Sequence, residues 1–167
     1  GIYDLEIIGG AGHISGTRKS FNTPFINFLA GAPGSSSHYA SKIRIILFDG
    51  DVLKFDNISK IKFKAVPEEV QMSNELGVGE YVVGRDIKPG TYKLSTNKEM
   101  NSEFKELGWD IQIINGSTKK SKHQRFNPGS PDVVVKLEEG EIISTMFQAS
   151  RYEDLIDDAR LIFTEYK

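Results

Sequence analysis

Alternation of apolar and polar residues is the main signal along this chain of 167 residues. Every second residue is apolar in residues 43–47 and again in residues 133–137. A period of two is typical of strands that bury one face. An acidic turn with a glycine and a second apolar run follow each time, which predicts a strand, a turn and a strand at both places. The pattern therefore predicts an all-β fold.

These two regions align as copies of one unit. Gly1-Ile-Tyr-Asp-Leu also matches Gly90-Thr-Tyr-Lys-Leu, and about fifty residues separate this glycine from the turn glycine in both copies. A competing alignment places Tyr3–Gly10 against Trp109–Gly116. We prefer the alignment of Gly1 with Gly90, because it needs no long gap between the matched segments. The matched turn positions are Leu47 with Leu137, Gly50 with Gly140, and Asp51 with Glu141.

The duplication divides the chain into three predicted segments. Residues 1–67 form a first β-unit, residues 68–78 a linker or short helix, and residues 79–167 a second β-unit. We expect each unit to be a small β-sandwich or jelly-roll-like structure. Residues 151–159 carry acidic side chains between apolar ones, which predicts one short amphipathic helix inserted into the second unit.

The end of the first unit is predicted as two strands, Val52–Phe55 and Lys60–Ala65, joined by a turn at Asp56-Asn57. In the second of these strands lysines alternate with Ile61, Phe63 and Ala65. Lysines on the solvent face of a strand discourage edge-to-edge pairing of sheets.

Residues 79–94 contain the pattern Tyr-x-Val-Gly-x-Asp-Ile-x-x-Gly-x-Tyr. The pattern resembles a largely uncharacterised module of Gram-positive bacteria and their phages, which occurs in lipoproteins, surface-type proteins and multi-domain phage or cytoplasmic proteins. The resemblance covers the second unit well and the first only from its last Gly-x-Tyr onward. The resemblance implies that the chain contains this module, but it says almost nothing about which ligand the module binds. The pattern is filled by Tyr81, Val83, Gly84, Asp86, Ile87, Gly90 and Tyr92.

The same residues have a structural interpretation. Gly84 permits a backbone conformation that other residues resist, and Asp86 can accept hydrogen bonds from nearby amides. Lys88-Pro89-Gly90-Thr91 predicts a type II turn. We therefore interpret the motif as a β-corner rather than a ligand site. Because the first copy has no Val-Gly-x-Asp-Ile before Gly1, we also expect that unit to lack its start, with such residues preceding Gly1 in the native protein.

Composition removes several classes of chemistry. The chain has no cysteine, which excludes disulfides, thiolate metal sites and cysteine nucleophiles. Its net charge of −2 creates no general attraction for nucleic acid, so we expect no nucleic-acid partner. No apolar run approaches transmembrane length, so we expect no membrane span.

Few motifs point to catalysis or to a cofactor. Gly10-x-Gly12-x-x-x-Gly16 follows a predicted strand, but no helix follows to hold a pyrophosphate, which favours a glycine-rich hairpin or bulge. The three histidines have no metal-ligand spacing. We therefore predict no enzyme activity, and we assign no catalytic, cofactor-binding or metal-binding residue.

The one basic cluster, residues 118–129, and the single tryptophan offer the candidate ligand contacts. The cluster could contact a phosphate, a teichoic acid or a nucleic acid, although solvated lysines on a mobile hairpin loop are the preferred interpretation. A tryptophan could stack on a sugar if it were exposed. The candidate contacts are Trp109, Lys119, Lys120, His123 and Arg125.

The sequence leaves the molecular function open. The leading hypothesis is a non-catalytic interaction module of a longer bacterial or phage-derived protein, with a protein, cell-wall polymer or glycan as partner. An extracytoplasmic or cell-surface location is favoured over a cytoplasmic one. The alternative is a structural or regulatory part of a cytoplasmic phage or stress protein. A hydrolase is a third option, and it would require a cleft with converging polar side chains.

Overall fold

A computed structural model describes residues 1–19, 21–36, 38–149 and 156–167. It confirms the all-β class: strands dominate, and the described residues contain no α-helix. The strands are β1 Ile2–Arg18, β2 Phe21–Gly31, β3 Lys42–Ile46, β4 Val52–Ala65, β5 Glu75–Leu76, β6 Gly79–Val82, β7 Gly90–Thr96, β8 Trp109–Ile114, β9 Ser121–Phe126, β10 Val134–Leu137, β11 Ile142–Phe147 and β12 Leu161–Glu165.

The strands form two sheets. The eight-stranded sheet has the order β2-β1-β3-β6-β11-β8-β9, with β4 on the other edge of β1. The four-stranded sheet has the order β10-β7-β12-β5. All pairs are antiparallel except β3 with β6, which meet in parallel at Arg44 and Gly79. Strands from both predicted units therefore contribute to the larger sheet.

Strand β1 is strongly curled. Its residue Ile2 pairs with Ile46 at the end of β3, while Thr17 pairs with Val52 at the start of β4. A straight strand from Ile2 to Thr17 would span about 50 Å, whereas the connection from Ile46 to Val52 reaches at most about 20 Å. The two ends of β1 must therefore approach each other. The Arg18 Nη2 atom donates a hydrogen bond to the Ile46 carbonyl at 2.7 Å, which closes the curl.

The bend lies in the glycine-rich segment. The pairing of β1 with β4 shifts register between Ile7 and His13, as it does at a β-bulge. Gly10 has φ +86°, and a Cβ on Gly12 would overlap the Asp56 carbonyl oxygen. The segment is thus a bulge within one strand, and the predicted turn at Asp56-Asn57 is wrong. Strand β4 continues through these residues, which face the bulge across the ladder, and Asn57 takes a φ of +57° there.

The two copies have the same strand register. Tyr3 pairs with Ile45 in the first copy, and Tyr92 pairs with Val135 in the second, as the preferred alignment requires. The third strands also correspond, because β4 pairs Phe63 with Leu5 and β12 pairs Phe163 with Leu94. Each tyrosine meets its phenylalanine edge to face, with ring centroids 6.2 Å apart in the first copy and 5.8 Å in the second. We call the two three-stranded sets, β3-β1-β4 and β10-β7-β12, the first and second repeats.

The turns that leave β3 and β10 are equivalent as well. Gly50 has φ +87° and Gly140 has φ +84°, a conformation that glycine adopts without strain. The Asp51 carboxylate accepts a hydrogen bond from the Phe48 amide at 2.9 Å. In the second turn the Glu141 carboxylate accepts one from the Glu138 amide at 2.6 Å. The acidic residue after each glycine therefore closes its own turn.

The largest apolar cluster contains residues of both repeats, including Leu5 and Ile43 from the first and Leu94 and Phe163 from the second. Leu137 belongs to it with 2% exposure, whereas its counterpart Leu47 is only partly buried. The boundaries 1–67, 68–78 and 79–167 stay a prediction. Residues 68–78, predicted as a linker or short helix, contain β5, which pairs with β12.

The helix predicted for residues 151–159 lies partly outside the described residues, because 150–155 are not among them. The described part is a single 3₁₀ turn, Ile156–Asp158. Ile156 is buried against the main core. None of the helices in the described residues is long and apolar enough to span a membrane.

Candidate functional site

One face of the first repeat carries a ladder of alternating charge. Strand β1 places Asp4 opposite Arg44 of β3 and opposite Lys64 of β4. One step along, Glu6 lies opposite Lys42 and Lys62 in the same way. Residues directly opposite each other share a face of the sheet, so a basic strand, an acidic strand and a basic strand lie side by side. We call this set the charge ladder.

A cleft of about 500 Å³ opens over the charge ladder. Its other wall comes from residues 70–78 and from Tyr81, Asp86 and Arg160, which precede strands β7 and β12 of the second repeat. We call it the inter-repeat cleft, because the first repeat forms one wall and the segments that precede β7 and β12 of the second repeat form the other. Side chains of both charges and several polar groups face it, so it suits a polar occupant.

Arg44 is the central side chain of this cleft. Its Nε donates to Asp4 Oδ1 at 2.8 Å and its Nη1 to Asp86 Oδ1 at 3.2 Å. Its guanidinium also lies 5.4 Å from the centre of the Tyr81 ring. Burial lowers the pKa of Arg44, but the hydrogen-bonded Asp4 together with Tyr81 and Asp86 more than offsets this, so the net pKa is raised. Arg44 is thus a fixed cation whose charge two carboxylates balance.

Arg160 and Tyr81 have fewer hydrogen-bond and ion-pair partners than Arg44 has. The Arg160 Nη1 donates to the carbonyls of Asp157 and Ala159 at 2.9 and 2.8 Å, and no carboxylate among the described residues pairs with it. The Tyr81 hydroxyl has no hydrogen-bond partner within the same described part of the chain. Burial raises the pKa of Tyr81 to about 12, so the hydroxyl keeps its proton at neutral pH. Both groups lie beside Gly77 and can donate hydrogen bonds to an occupant.

Asp157 fixes the wall of the cleft next to Arg160. Its carboxylate accepts hydrogen bonds from the Ser41 amide at 2.8 Å and from the Ser41 hydroxyl. Because Asp157 belongs to the 3₁₀ turn and Ser41 precedes β3, this contact holds the two walls together. The carboxylate therefore has a structural use.

A second charged cluster, around Arg18, is buried. The Arg18 Nε lies 3.1 Å from Asp51 Oδ2 and its Nη1 lies 3.2 Å from Glu80 Oε2, with all three side chains at most 4% exposed. Its guanidinium also lies 4.0 Å from the centre of the Phe25 ring and 4.7 Å from that of Phe48. This cluster ties the end of β1 to the β3–β4 turn and to β6.

The motif residues form the predicted corner, with one difference in detail. The Val82 amide donates to Asp86 Oδ2 at 2.8 Å, and the Gly84 amide donates to the Ile87 carbonyl at 2.7 Å. Ile87 is fully buried. The turn therefore lies at residues 84–86, and the type II turn predicted for residues 88–91 is wrong, because Gly90 has φ +156° and already belongs to β7.

The remaining motif side chains divide between packing and the cleft. Tyr92 is 2% exposed, and its hydroxyl donates to the Lys88 carbonyl at 2.7 Å. Tyr81 and Asp86, in contrast, line the inter-repeat cleft. Two side chains of the corner, Tyr81 and Asp86, thus also belong to the candidate site. The purely structural interpretation of the motif did not predict this.

The basic cluster does not assemble around Trp109. That side chain is 1% exposed, and its indole N–H donates to Thr96 Oγ1 at 2.9 Å, so no face is open to a sugar. The assignment of Trp109 as a ligand contact is therefore wrong. Successive residues of a strand face opposite sides, so Asp110 points outward and lies 2.9 Å from His123 and 3.4 Å from Arg125.

The two lysines of the cluster lie at the tip of the β8–β9 hairpin. Lys119 has φ +56°, and the Asn115 amide donates to the Lys120 carbonyl at 2.9 Å, which closes the turn. Both side chains are exposed. The structure therefore places Lys119, Lys120, His123 and Arg125 on one exposed hairpin, apart from the inter-repeat cleft.

Sequence reasoning missed the residues that define the cleft, Arg44 and Arg160. One signal could have found Arg44, because the repeat alignment places it opposite Val134. A charged residue at a position where the other copy has an apolar one indicates a role that the two copies do not share. No comparable signal points to Arg160, because its counterpart Lys60 is also basic.

Within the described part of the chain, no cluster of three or more histidine and acidic side chains could hold a metal ion. Comparison with known protein families, with curated proteins and with solved structures gave no match. The resemblance of residues 79–94 to the bacterial and phage module therefore stays a prediction, and the candidate site must be interpreted from its own geometry.

Proposed function

We propose that this chain is a non-catalytic interaction module that binds a polar segment of a protein or of a cell-surface polymer in the inter-repeat cleft. The observation that supports the proposal is the pair of donors beside Gly77, the Arg160 guanidinium and the Tyr81 hydroxyl. A cleft of about 500 Å³ lies in the size range of small-ligand sites. A carboxylate, phosphate or sugar hydroxyl oxygen would match these donors.

The charges of the cleft favour binding over catalysis. Three of the five carboxylates that line it, Asp4, Asp86 and Asp157, are held by Arg44 or by backbone and hydroxyl donors, and the other two belong to Glu6 and Glu75. A general acid or base must be able to reach the proton that it transfers. Carboxylates engaged in this way hold the walls in place, whereas Arg160 and Tyr81 are left to contact a partner.

The test is to probe arrays of peptides and of bacterial cell-wall polysaccharides with the labelled protein and to measure the affinity of each hit by calorimetry. Tyr81→Phe removes only a hydroxyl that makes no hydrogen bond among the described residues, so the fold should persist. We expect Tyr81→Phe and Arg160→Ala each to weaken binding, by about tenfold for the arginine.

Arg125→Ala is the matched control, because it removes an arginine from the exposed hairpin. This control should bind like the wild type. Affinity that depends on Arg125 and not on Arg160 would place the binding surface on the hairpin instead. Turnover of a bound polymer would contradict the non-catalytic assignment.

A further inference from the structure

The outer edge of the second repeat is covered, and the matching edge of the first is open. Strand β5 pairs Leu76 with Leu161 and Glu75 with Ile162 of β12. The Phe163 amide continues this edge by donating to the Asn74 carbonyl at 2.8 Å. With this neighbour in place Phe163 is 1% exposed.

In the first repeat the counterpart of Phe163 is Phe63, which is 46% exposed. Among the described residues, β4 pairs with β1 alone. The shared register turns the Phe63 amide outward, as it turns that of Phe163. The backbone donors and acceptors of Ile61, Phe63 and Ala65 are therefore available to a further strand, while those of the residues between them pair with β1.

The side chains along this edge define the strand that would fit. On one face the charge ladder runs basic, acidic, basic from β3 to β4, so a fourth strand with acidic residues would continue the alternation. Lys62 occupies the position that lies opposite Glu75 in the second repeat. On the other face Ile61 and Phe63 would contact apolar residues of the added strand.

We propose that the outer edge of β4, from Lys60 to Ala65, accepts an extended segment of another polypeptide in which acidic residues alternate with apolar ones. A second copy of β4 is a poor occupant, because antiparallel pairing of two such edges would place lysines near lysines. The lysines thus select an acidic partner while they discourage self-association. Lys64 of this edge also lines the inter-repeat cleft, whereas the donors Arg160 and Tyr81 lie on the opposite wall.

The probe is a fluorescent eight-residue peptide in which glutamate alternates with valine, blocked at both ends and titrated by fluorescence polarisation. A peptide with lysine in place of glutamate is the charge control. We expect the glutamate peptide to bind and Lys62→Glu to weaken it about tenfold, while the same variant gains affinity for the lysine peptide. Amide hydrogen exchange at residues 60–65 should slow when the glutamate peptide binds.

Lys122→Glu is the matched variant, because Lys122 is an exposed lysine on β9, the edge strand at the far end of the same sheet. Neither Lys122→Glu nor Tyr81→Phe should change the affinity for the glutamate peptide. The proposal is overturned if the peptide fails to bind at millimolar concentration. It is also overturned if the peptide binds Lys62→Glu as well as wild type, or if it loses affinity for Lys122→Glu.

Discussion

The first and second repeats share a register, an aromatic pair and a turn, yet they bury the same side chain differently. Phe63 and Phe163 occupy equivalent positions and meet equivalent tyrosines. One is 46% exposed and the other 1%. The difference comes from the neighbouring strand, since β5 covers β12 and no described strand covers β4. Burial at a repeated position therefore depends on the neighbour as much as on the repeat itself.

The largest expected effect comes from truncating the two phenylalanines separately. Phe163→Ala should lower the free energy of unfolding by about 3–5 kcal/mol, because it leaves a cavity in the core. Phe63→Ala should lower it by about 1 kcal/mol, because nearly half of that side chain is already hydrated. Urea denaturation of both variants measures the two values, and equal losses would mean that the edge of β4 is covered in solution.

A smaller effect should be equal in the two repeats. Gly50 and Gly140 have nearly the same positive φ, and neither has backbone within contact distance of an added Cβ. Substitution by alanine should therefore destabilise the protein by about 1 kcal/mol at each site, mainly through backbone strain, with the Lys19 side chain, 3.3 Å from an added Cβ, moving aside at Gly50. Thermal unfolding of the two variants compares the turns directly. A clear inequality would show that the turns are not equivalent.

The smallest effect concerns the contact between β6 and the first repeat. Burial raises the pKa of Glu80 above its ordinary value of 4.5, and Arg18 opposes that shift. Because the folded-state pKa is the higher one, the proton on Glu80 favours the folded state below pH 4.5. This contribution is lost as the pH rises through the folded-state pKa.

Glu80→Gln should therefore remove this dependence on pH. The free energy of unfolding of the wild type should fall relative to that of the variant as the pH rises from 4.5. Urea denaturation across that range measures the difference, and the exposed Glu68→Gln serves as the control. A difference with the opposite slope would mean that the ion pair with Arg18 outweighs burial.

Much of the fold follows from local pattern. The alternation in residues 43–47 and 133–137 and the two turn glycines were sufficient to predict the strands and the repeat. The bulge opposite Asp56-Asn57 depends on contact between residues more than forty positions apart, so local turn signals gave the wrong result there. The assignment of Trp109 as a ligand contact was wrong for a similar reason, because a strand pattern does not say whether another part of the protein will cover a given side chain.

The candidate site was less predictable than the fold. Lys42, Arg44 and Lys64 look like ordinary solvent-facing residues of separate strands, and only the pairing of β1 with both β3 and β4 joins them. Arg160 reaches the cleft because the 3₁₀ turn packs beside β3. These relations are set by topology, which the order of residues alone does not specify.

The order of pairing has a consequence for how the protein is made. In each repeat the middle strand of the sheet, β1 or β7, is synthesised first and its last partner, β4 or β12, third. A ribosome adds about 5–20 residues per second, so several seconds pass between the synthesis of β1 and that of residue 65, the last of β4. Throughout that interval the apolar side chains of β1, such as Leu5 and Ile14, have only part of their final cover. Because the same core also contains residues of the second repeat, such as Phe163, nascent chains of this protein should stay open to chaperones until β12 has been made.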